Sequence, residues 1–179
     1  MRPTIGHAVK VLLSLGLAIG CQIQARPREV LERIPFPAEE YEALTSTGTG
    51  AVSGQAFLRT RGGEVKTAAG SEVILNPVTT YSEQWWDEAF IGGSDLTAPD
   101  PRYGEYWRAK TVDAQGSFRF DRVPAGEYFI TTVVFWEAPT AYGLQPQGGR
   151  VAERISVTND AVTEVMLTEK SLTPASGRR

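Results

Sequence analysis

The sequence predicts an all-β fold, a seven-stranded antiparallel β-sandwich with a short helical insertion between the second and third strands. Two observations carry this prediction. Short apolar segments alternate with turns rich in Gly, Pro and Asp over residues 50–168. Residues 127–136 have apolar side chains on both faces, which indicates a central strand covered on its two sides. Two sheets that bury each other's apolar faces account for both patterns.

The first 20 residues have the composition of a secretory signal peptide. A basic start precedes an uncharged apolar run, residues 11–20, which is too short to span a bilayer of about 30 Å. Residues 18–21 resemble the bacterial lipobox, in which the final cysteine, here Cys21, is lipidated with palmitate-type chains. We therefore expect a lipid anchor in the cell envelope. Gln22 and not Asp follows the cysteine, which by resemblance to enterobacterial sorting signals implies the outer membrane rather than the inner one. The alternatives are an ordinary signal peptide that leaves a free thiol and an uncleaved anchor.

Residues 21–49 are predicted to form a tether between this anchor and the domain. Prolines forbid a continuous helix before residue 38, and the Thr-, Ser- and Gly-rich residues 45–50 have linker composition. Residues 38–44 can form a short helical turn, with Phe36 and Tyr41 docking on the domain. At the other end, residues 169–179 are small and polar and are expected to form a flexible tail.

Seven strands are predicted within the domain, residues 50–168. The turns between them carry the residues that turn geometry favours; one opens with Asp113 and closes with Gly116. The predicted strands are residues 52–58, 73–78, 106–112, 117–120, 127–136, 149–157 and 162–167.

Four segments of this domain together resemble the carboxypeptidase regulatory-like domain. They are residues 50–56 with a G-x-V-x-G opening, residues 69–75, residues 111–120 with a G-x-F-x-F turn, and residues 123–128 with V-P-A-G-x-Y. The resemblance implies a seven-stranded, transthyretin-like sandwich with Greek-key topology and no catalytic role of its own. The zinc peptidase activity that gives the family its name does not carry over, because the only histidine, His7, lies in the signal segment.

Two insertions depart from the family pattern, residues 79–107 and residues 138–148. The first has a helix-like opening that Ser82 could cap, and it is rich in aromatic residues. Its six candidate contacts for a ligand or partner are Trp85, Trp86, Phe90, Tyr103, Tyr106 and Trp107. Five carboxylates accompany them: Asp87, Glu88, Asp95, Asp100 and Glu105.

The aromatic insertion has two interpretations. Flat rings beside carboxylates suit a surface that binds a carbohydrate or a peptide, through stacking and hydrogen bonding. The same rings could instead cover an open face of the sandwich as core, and burial of Trp85 and Trp86 would favour that. A calcium site is disfavoured because the D-x-D-x-D-G pattern is missing, and a carboxylate-based hydrolase would need two acids facing each other across a cleft.

Composition excludes most catalytic chemistry. His7 and Cys21 are the only histidine and cysteine, so the domain has no residues for a His-based triad, a Cys–His dyad or a Cys/His zinc site. A net charge of −3 without a concentrated basic face disfavours nucleic acid. We expect a membrane-anchored, non-enzymatic module without metal or cofactor that binds an envelope protein or a glycan. A purely structural module and a hydrolase are the alternatives.

Overall fold

The computed structural model of the chain describes residues 30–172, and within them β-strands dominate. The ten strands are β1 Val30–Leu31, β2 Gly50–Arg59, β3 Val65–Thr67, β4 Glu72–Pro77, β5 Asp95–Leu96, β6 Arg108–Thr111, β7 Ser117–Val123, β8 Gly126–Thr140, β9 Gly143–Val157 and β10 Val162–Leu167. The helical elements are α1 Ala38–Glu42, α2 Thr80–Gln84, a π-helical segment Trp85–Ile91, and 3₁₀ turns at Pro101–Glu105 and Glu169–Ser171. The all-β prediction is confirmed.

Two four-stranded sheets form the body of the molecule. In the first, β2 pairs with β10, β3 and β7; the second has the strand order β6-β4-β8-β9. One apolar cluster draws on both sheets, because alternate side chains of each strand point inward. Its members include Val52, Phe120 and Leu167 from the first sheet and Val73, Ile130 and Val151 from the second. This arrangement is consistent with a β-sandwich.

Each of the seven predicted strands is present, but the number of strands and one pairing differ from the prediction. β1, β3 and β5 are additional, and β1 and β5 form a separate two-stranded sheet. The prediction that all strands are antiparallel is wrong, because β10 runs parallel to β2. After β9 the chain crosses to the opposite sheet instead of pairing back as a hairpin. At this crossing a Cβ on Gly54 would lie 2.2 Å from the carbonyl oxygen of Val165, so only glycine fits.

The second predicted insertion, residues 138–148, is not a loop. β8 and β9 pair without interruption up to Thr140 opposite Gly143, so these residues lengthen a hairpin. We call residues 138–148 the hairpin arm. Its tip is open to solvent, with Tyr142 92% and Leu144 60% exposed.

The predicted helical turn is observed as α1, and the expected docking of Phe36 and Tyr41 is confirmed. Tyr41 is fully buried and stacks on Phe36 with ring centroids 4.8 Å apart. Residues 30–49 therefore lie against the domain, although the sequence predicts a tether over residues 21–49. At the other end, Leu172 bridges to Val151, so the first part of the predicted tail also contacts the body. The signal segment, Cys21 and residues 173–179 lie outside the described residues. Within residues 30–172, no helix has the length and apolar character needed to cross a membrane.

Candidate functional site

The outer face of the second sheet forms the floor of a groove. Ile74 lies opposite Thr131, and Asn76 lies opposite Phe129. Because side chains alternate along a strand, these four point away from the core while their neighbours Leu75 and Ile130 point into it. The floor is therefore made by the residues of β4 and β8 that the sandwich core does not use.

The insertion, residues 79–107, is fixed over one end of this floor. Thr79 caps α2: its hydroxyl accepts a hydrogen bond from the backbone N–H of Ser82, and the Ser82 hydroxyl accepts one from the Thr79 N–H. The predicted cap, Ser82, is thus the second half of a capping box. The following π-helical segment brings Trp86 onto Phe129, with centroids 4.7 Å apart and planes 13° from parallel.

The groove has a volume of about 500 Å³. Trp85, Tyr103 and Trp107 line it from the insertion, and Arg33 lines it from the segment before α1. Both tryptophans are half-buried, so each ring is held while part of it stays accessible. The remaining lining residues are Ser71, Glu72, Ile74, Asn76, Pro99, Phe129, Thr131, Thr132, Val133 and Arg150.

Two polar atoms at this groove are buried and lack a hydrogen-bond partner among the described residues. The first is Oδ1 of Asn76, a side chain only 4% exposed whose Nδ2 donates to the Tyr103 hydroxyl at 2.5 Å. The second is Nη1 of Arg33. Buried polar groups are nearly always paired in folded proteins. These two atoms are therefore candidate contacts for a ligand.

A second aromatic cluster lies beside the groove and supports it. It contains Phe36, Tyr41, Tyr81, Tyr103 and Tyr106. Thr79 donates to the Tyr41 hydroxyl at 2.7 Å, and the Tyr81 hydroxyl accepts from the N–H of Asp100 at 2.9 Å. Burial raises the pKa of both Tyr41 and Tyr103 above its ordinary value. The cluster joins the N-terminal segment to the insertion.

The six predicted aromatic candidates separate into two groups. Trp85, Tyr103 and Trp107 line the groove, as the binding interpretation requires. The other three mainly pack within the molecule: Phe90 is 4% exposed, Trp86 stacks on Phe129, and Tyr106 belongs to the supporting cluster. Tyr106 also lines a smaller cavity of about 220 Å³ together with Trp107.

Sequence reasoning missed Arg33 and Asn76. Asn76 left a detectable signal, since it is a polar residue inside the apolar run of β4. Arg33 left none, because it lies in the predicted tether and reaches the groove through long-range contacts, the pairing of β1 with β5 and its hydrogen bonds with Thr97.

The five carboxylates of the insertion lie outside the groove lining. Asp100 pairs with Arg102 at 2.9 Å, and hydrogen bonds from Arg102 hold the pKa of Asp100 below its ordinary value. The acid that does line the groove is Glu72, on β4. Across residues 30–172 there is no cluster of three or more His, Cys, Asp or Glu side chains suited to a metal ion.

No protein-family model matches the sequence, and no curated protein matches it. Among solved structures, the chain is similar to a crystal structure from Pseudomonas aeruginosa described as a "putative carbohydrate binding protein". The two are 28% identical, with a TM-score of 0.67, over 76% of this chain and 99% of that one. The similarity therefore covers nearly all of the neighbour.

Proposed function

We propose that this protein is a non-catalytic glycan-binding module and that the groove on the second sheet is its binding site. The observation that carries the proposal is the lining of the groove: two half-buried tryptophan rings line it together with a buried amide oxygen that has no hydrogen-bond partner among the described residues. The similarity to a solved structure described as a carbohydrate binding protein points in the same direction.

The chemistry of the lining suits a sugar ring. The apolar C–H face of a sugar stacks on an aromatic side chain, and its hydroxyls donate and accept hydrogen bonds. Trp85 and Trp107 supply the rings, and Asn76 supplies an acceptor for a hydroxyl. A groove of about 500 Å³ falls within the ordinary range for small-ligand sites.

The test is a glycan array with the wild-type protein, followed by calorimetric titration of each sugar that binds. Trp85→Ala and Trp107→Ala each lower affinity about tenfold, which corresponds to the loss of one stacking contact. Tyr142→Ala is the matched control, because it removes an exposed aromatic ring from the hairpin arm. Circular dichroism confirms that each variant is folded. Failure of every glycan to bind, or wild-type affinity in both tryptophan variants, would show that the groove is not a sugar site.

A structural module without a ligand is the second candidate. It is favoured by the packing of Trp86 on Phe129 and the burial of Phe90, which show that part of the insertion covers the sheet. The two candidates differ at Trp85. In a structural module Trp85→Ala changes stability alone, whereas in a binding module it changes affinity at a concentration where the variant is folded.

We further propose that the module belongs with the carboxypeptidase regulatory-like domains and is held in the cell envelope by a lipid on Cys21. The sequence motifs of residues 50–128 support the first proposal, and the lipobox-like residues 18–21 support the second. Cys21→Ser abolishes labelling by a palmitate analogue and moves the protein from the membrane fraction to the soluble fraction. Retention of both label and membrane association in the variant would contradict lipidation.

A further inference from the structure

We infer that the groove is specific for an acidic sugar, whose carboxylate pairs with Arg33 while a neighbouring hydroxyl donates to Asn76. This inference rests on the proposed glycan binding and adds the class of sugar. Three observations support it: the fixed position of the Arg33 guanidinium, the net positive charge of the groove lining, and the presence of one unpartnered donor and one unpartnered acceptor.

Arg33 is held in one position by three contacts. Its Nε donates to the carbonyl oxygen of Thr97 at 2.8 Å, its backbone N–H donates to the Thr97 hydroxyl at 3.1 Å, and its guanidinium lies 5.2 Å from the centre of the Tyr81 ring. Of its two terminal nitrogens, Nη1 is buried without a hydrogen-bond partner among the described residues. A fixed guanidinium with an unused donor is preorganised for an anionic acceptor, and a carboxylate matches its geometry.

The charges that line the groove favour an anion. Arg33 and Arg150 contribute two positive charges, and Glu72 contributes the single negative charge. The chain as a whole has a net charge of −3, so the groove is locally opposite in sign to the protein. Arg33 also acts on Tyr103, where its charge opposes the rise in pKa that burial causes. The positive potential therefore extends to the hydroxyl that contacts Asn76.

The two unpartnered atoms require different functional groups on one ligand. Arg33 Nη1 is a donor and needs an acceptor, whereas Asn76 Oδ1 is an acceptor and needs a donor. A carboxylate cannot donate at neutral pH, so it satisfies Arg33 but not Asn76. A hexuronic acid carries a carboxylate, hydroxyl donors and an apolar ring face together, and thus fits both atoms and the tryptophan rings.

The experiment titrates the full chain with short homo-oligomers of hexuronic acids, each beside the same oligomer with its carboxylates reduced to alcohols. We expect the wild-type protein to bind the best uronate at least about tenfold more tightly than its reduced counterpart, since a charge-assisted hydrogen bond is lost. Arg33→Gln removes this preference, whereas Arg33→Lys retains part of it. Asn76→Ala weakens both oligomers by a similar factor. Thermal unfolding of each variant checks that residues 30–49 remain docked.

The outcomes separate this inference from the proposed function. If reduced and acidic oligomers bind equally well, the groove binds glycans without a preference for acid, and the inference is wrong while the proposed function stands. If the preference survives in folded Arg33→Gln, the carboxylate lies elsewhere and the assignment to Arg33 is overturned. If neither these oligomers nor any array glycan binds, both proposals fail together.

Discussion

The insertion, residues 79–107, and the hairpin arm, residues 138–148, both lengthen the chain between core strands, yet they are built in opposite ways. The insertion has little sheet but buries Tyr81 and Phe90 to 2% and 4% exposure. The arm has an unbroken ladder of paired residues but leaves Tyr142 92% exposed. Backbone pairing satisfies the polar groups of a segment without attaching it to the body. Side-chain burial attaches it, and the groove forms where that attachment occurs.

The largest difference is expected between Tyr41, which packs on the insertion from α1, and Tyr142 of the arm. Tyr41→Ala removes the buried ring that joins α1 to the insertion and costs about 3–5 kcal/mol of unfolding free energy, as other large aromatic deletions do. Tyr142→Ala, at the tip of the arm, changes the same quantity by less than about 0.5 kcal/mol. Urea unfolding followed by circular dichroism measures both. Similar losses in the two variants would mean that the arm packs against the body in solution.

Within the arm, a glycine at the base and a glycine at the tip are expected to differ in how much stability their replacement costs. Both Gly148 and Gly143 have positive φ, of 102° and 99°. A Cβ on Gly148 would also lie 1.9 Å from the carbonyl oxygen of Val134, whereas nothing lies within 4 Å of one on Gly143. We expect Gly148→Ala to cost about 3 kcal/mol and Gly143→Ala about 1 kcal/mol of unfolding free energy. Thermal unfolding of the two variants measures this, and equal costs would show that backbone strain alone matters.

These two segments also show what the sequence could and could not predict. Alternation and turn residues were sufficient for the seven main strands, because their pattern is local. The sequence did not predict the extension of β8 and β9, because Pro139, Pro146 and Gly148 break strand patterns. Such residues are tolerated in an exposed arm. The parallel pairing of β10 with β2 depends on where the chain crosses, which no local pattern records.

The candidate site was predictable only in part. The aromatic composition of residues 79–107 predicted contact residues in this segment, and three of its six candidates line the groove. Which rings face the groove depends on the π-helical segment and on the register of β4 with β8, both of which are set by packing. Arg33 reaches the site through a contact with Thr97, 64 positions away in sequence, so its role could not be predicted from its neighbours.

Alkaline pH is expected to lower the stability that the buried tyrosines at the insertion contribute, and to leave the contribution of the hairpin arm unchanged. Unfolded tyrosine loses its proton near pH 10, whereas burial raises the pKa of Tyr41 and Tyr103, so above about pH 10 the folded state holds more protons than the unfolded state. Stability is therefore unaffected by these groups below that pH and falls above it, by up to about 1.4 kcal/mol per pH unit for each tyrosine.

The comparison is made by urea unfolding at several pH values between 8 and about 11, which spans the ordinary tyrosine pKa. Tyr41→Phe lowers stability at every pH because its bond with Thr79 is lost, but it also makes the alkaline decline less steep. Tyr142→Phe leaves the decline unchanged, since that ring is exposed. A decline of equal steepness in Tyr41→Phe and wild type would assign the alkaline sensitivity to other groups.

A small net effect on stability is expected when both members of the polar pair of the groove, Asn76 and Tyr103, are replaced together. Asn76→Leu alone leaves the partly buried Tyr103 hydroxyl without its partner and costs about 1–3 kcal/mol. In the double variant Asn76→Leu/Tyr103→Phe both polar groups are gone together with the unpartnered Oδ1, so the net change in unfolding free energy stays within about 1 kcal/mol. Glycan binding is nevertheless weakened, because the acceptor for the sugar hydroxyl is gone. A double variant that unfolds readily would instead make the pair a structural contact, comparable to the bond between Thr79 and Tyr41.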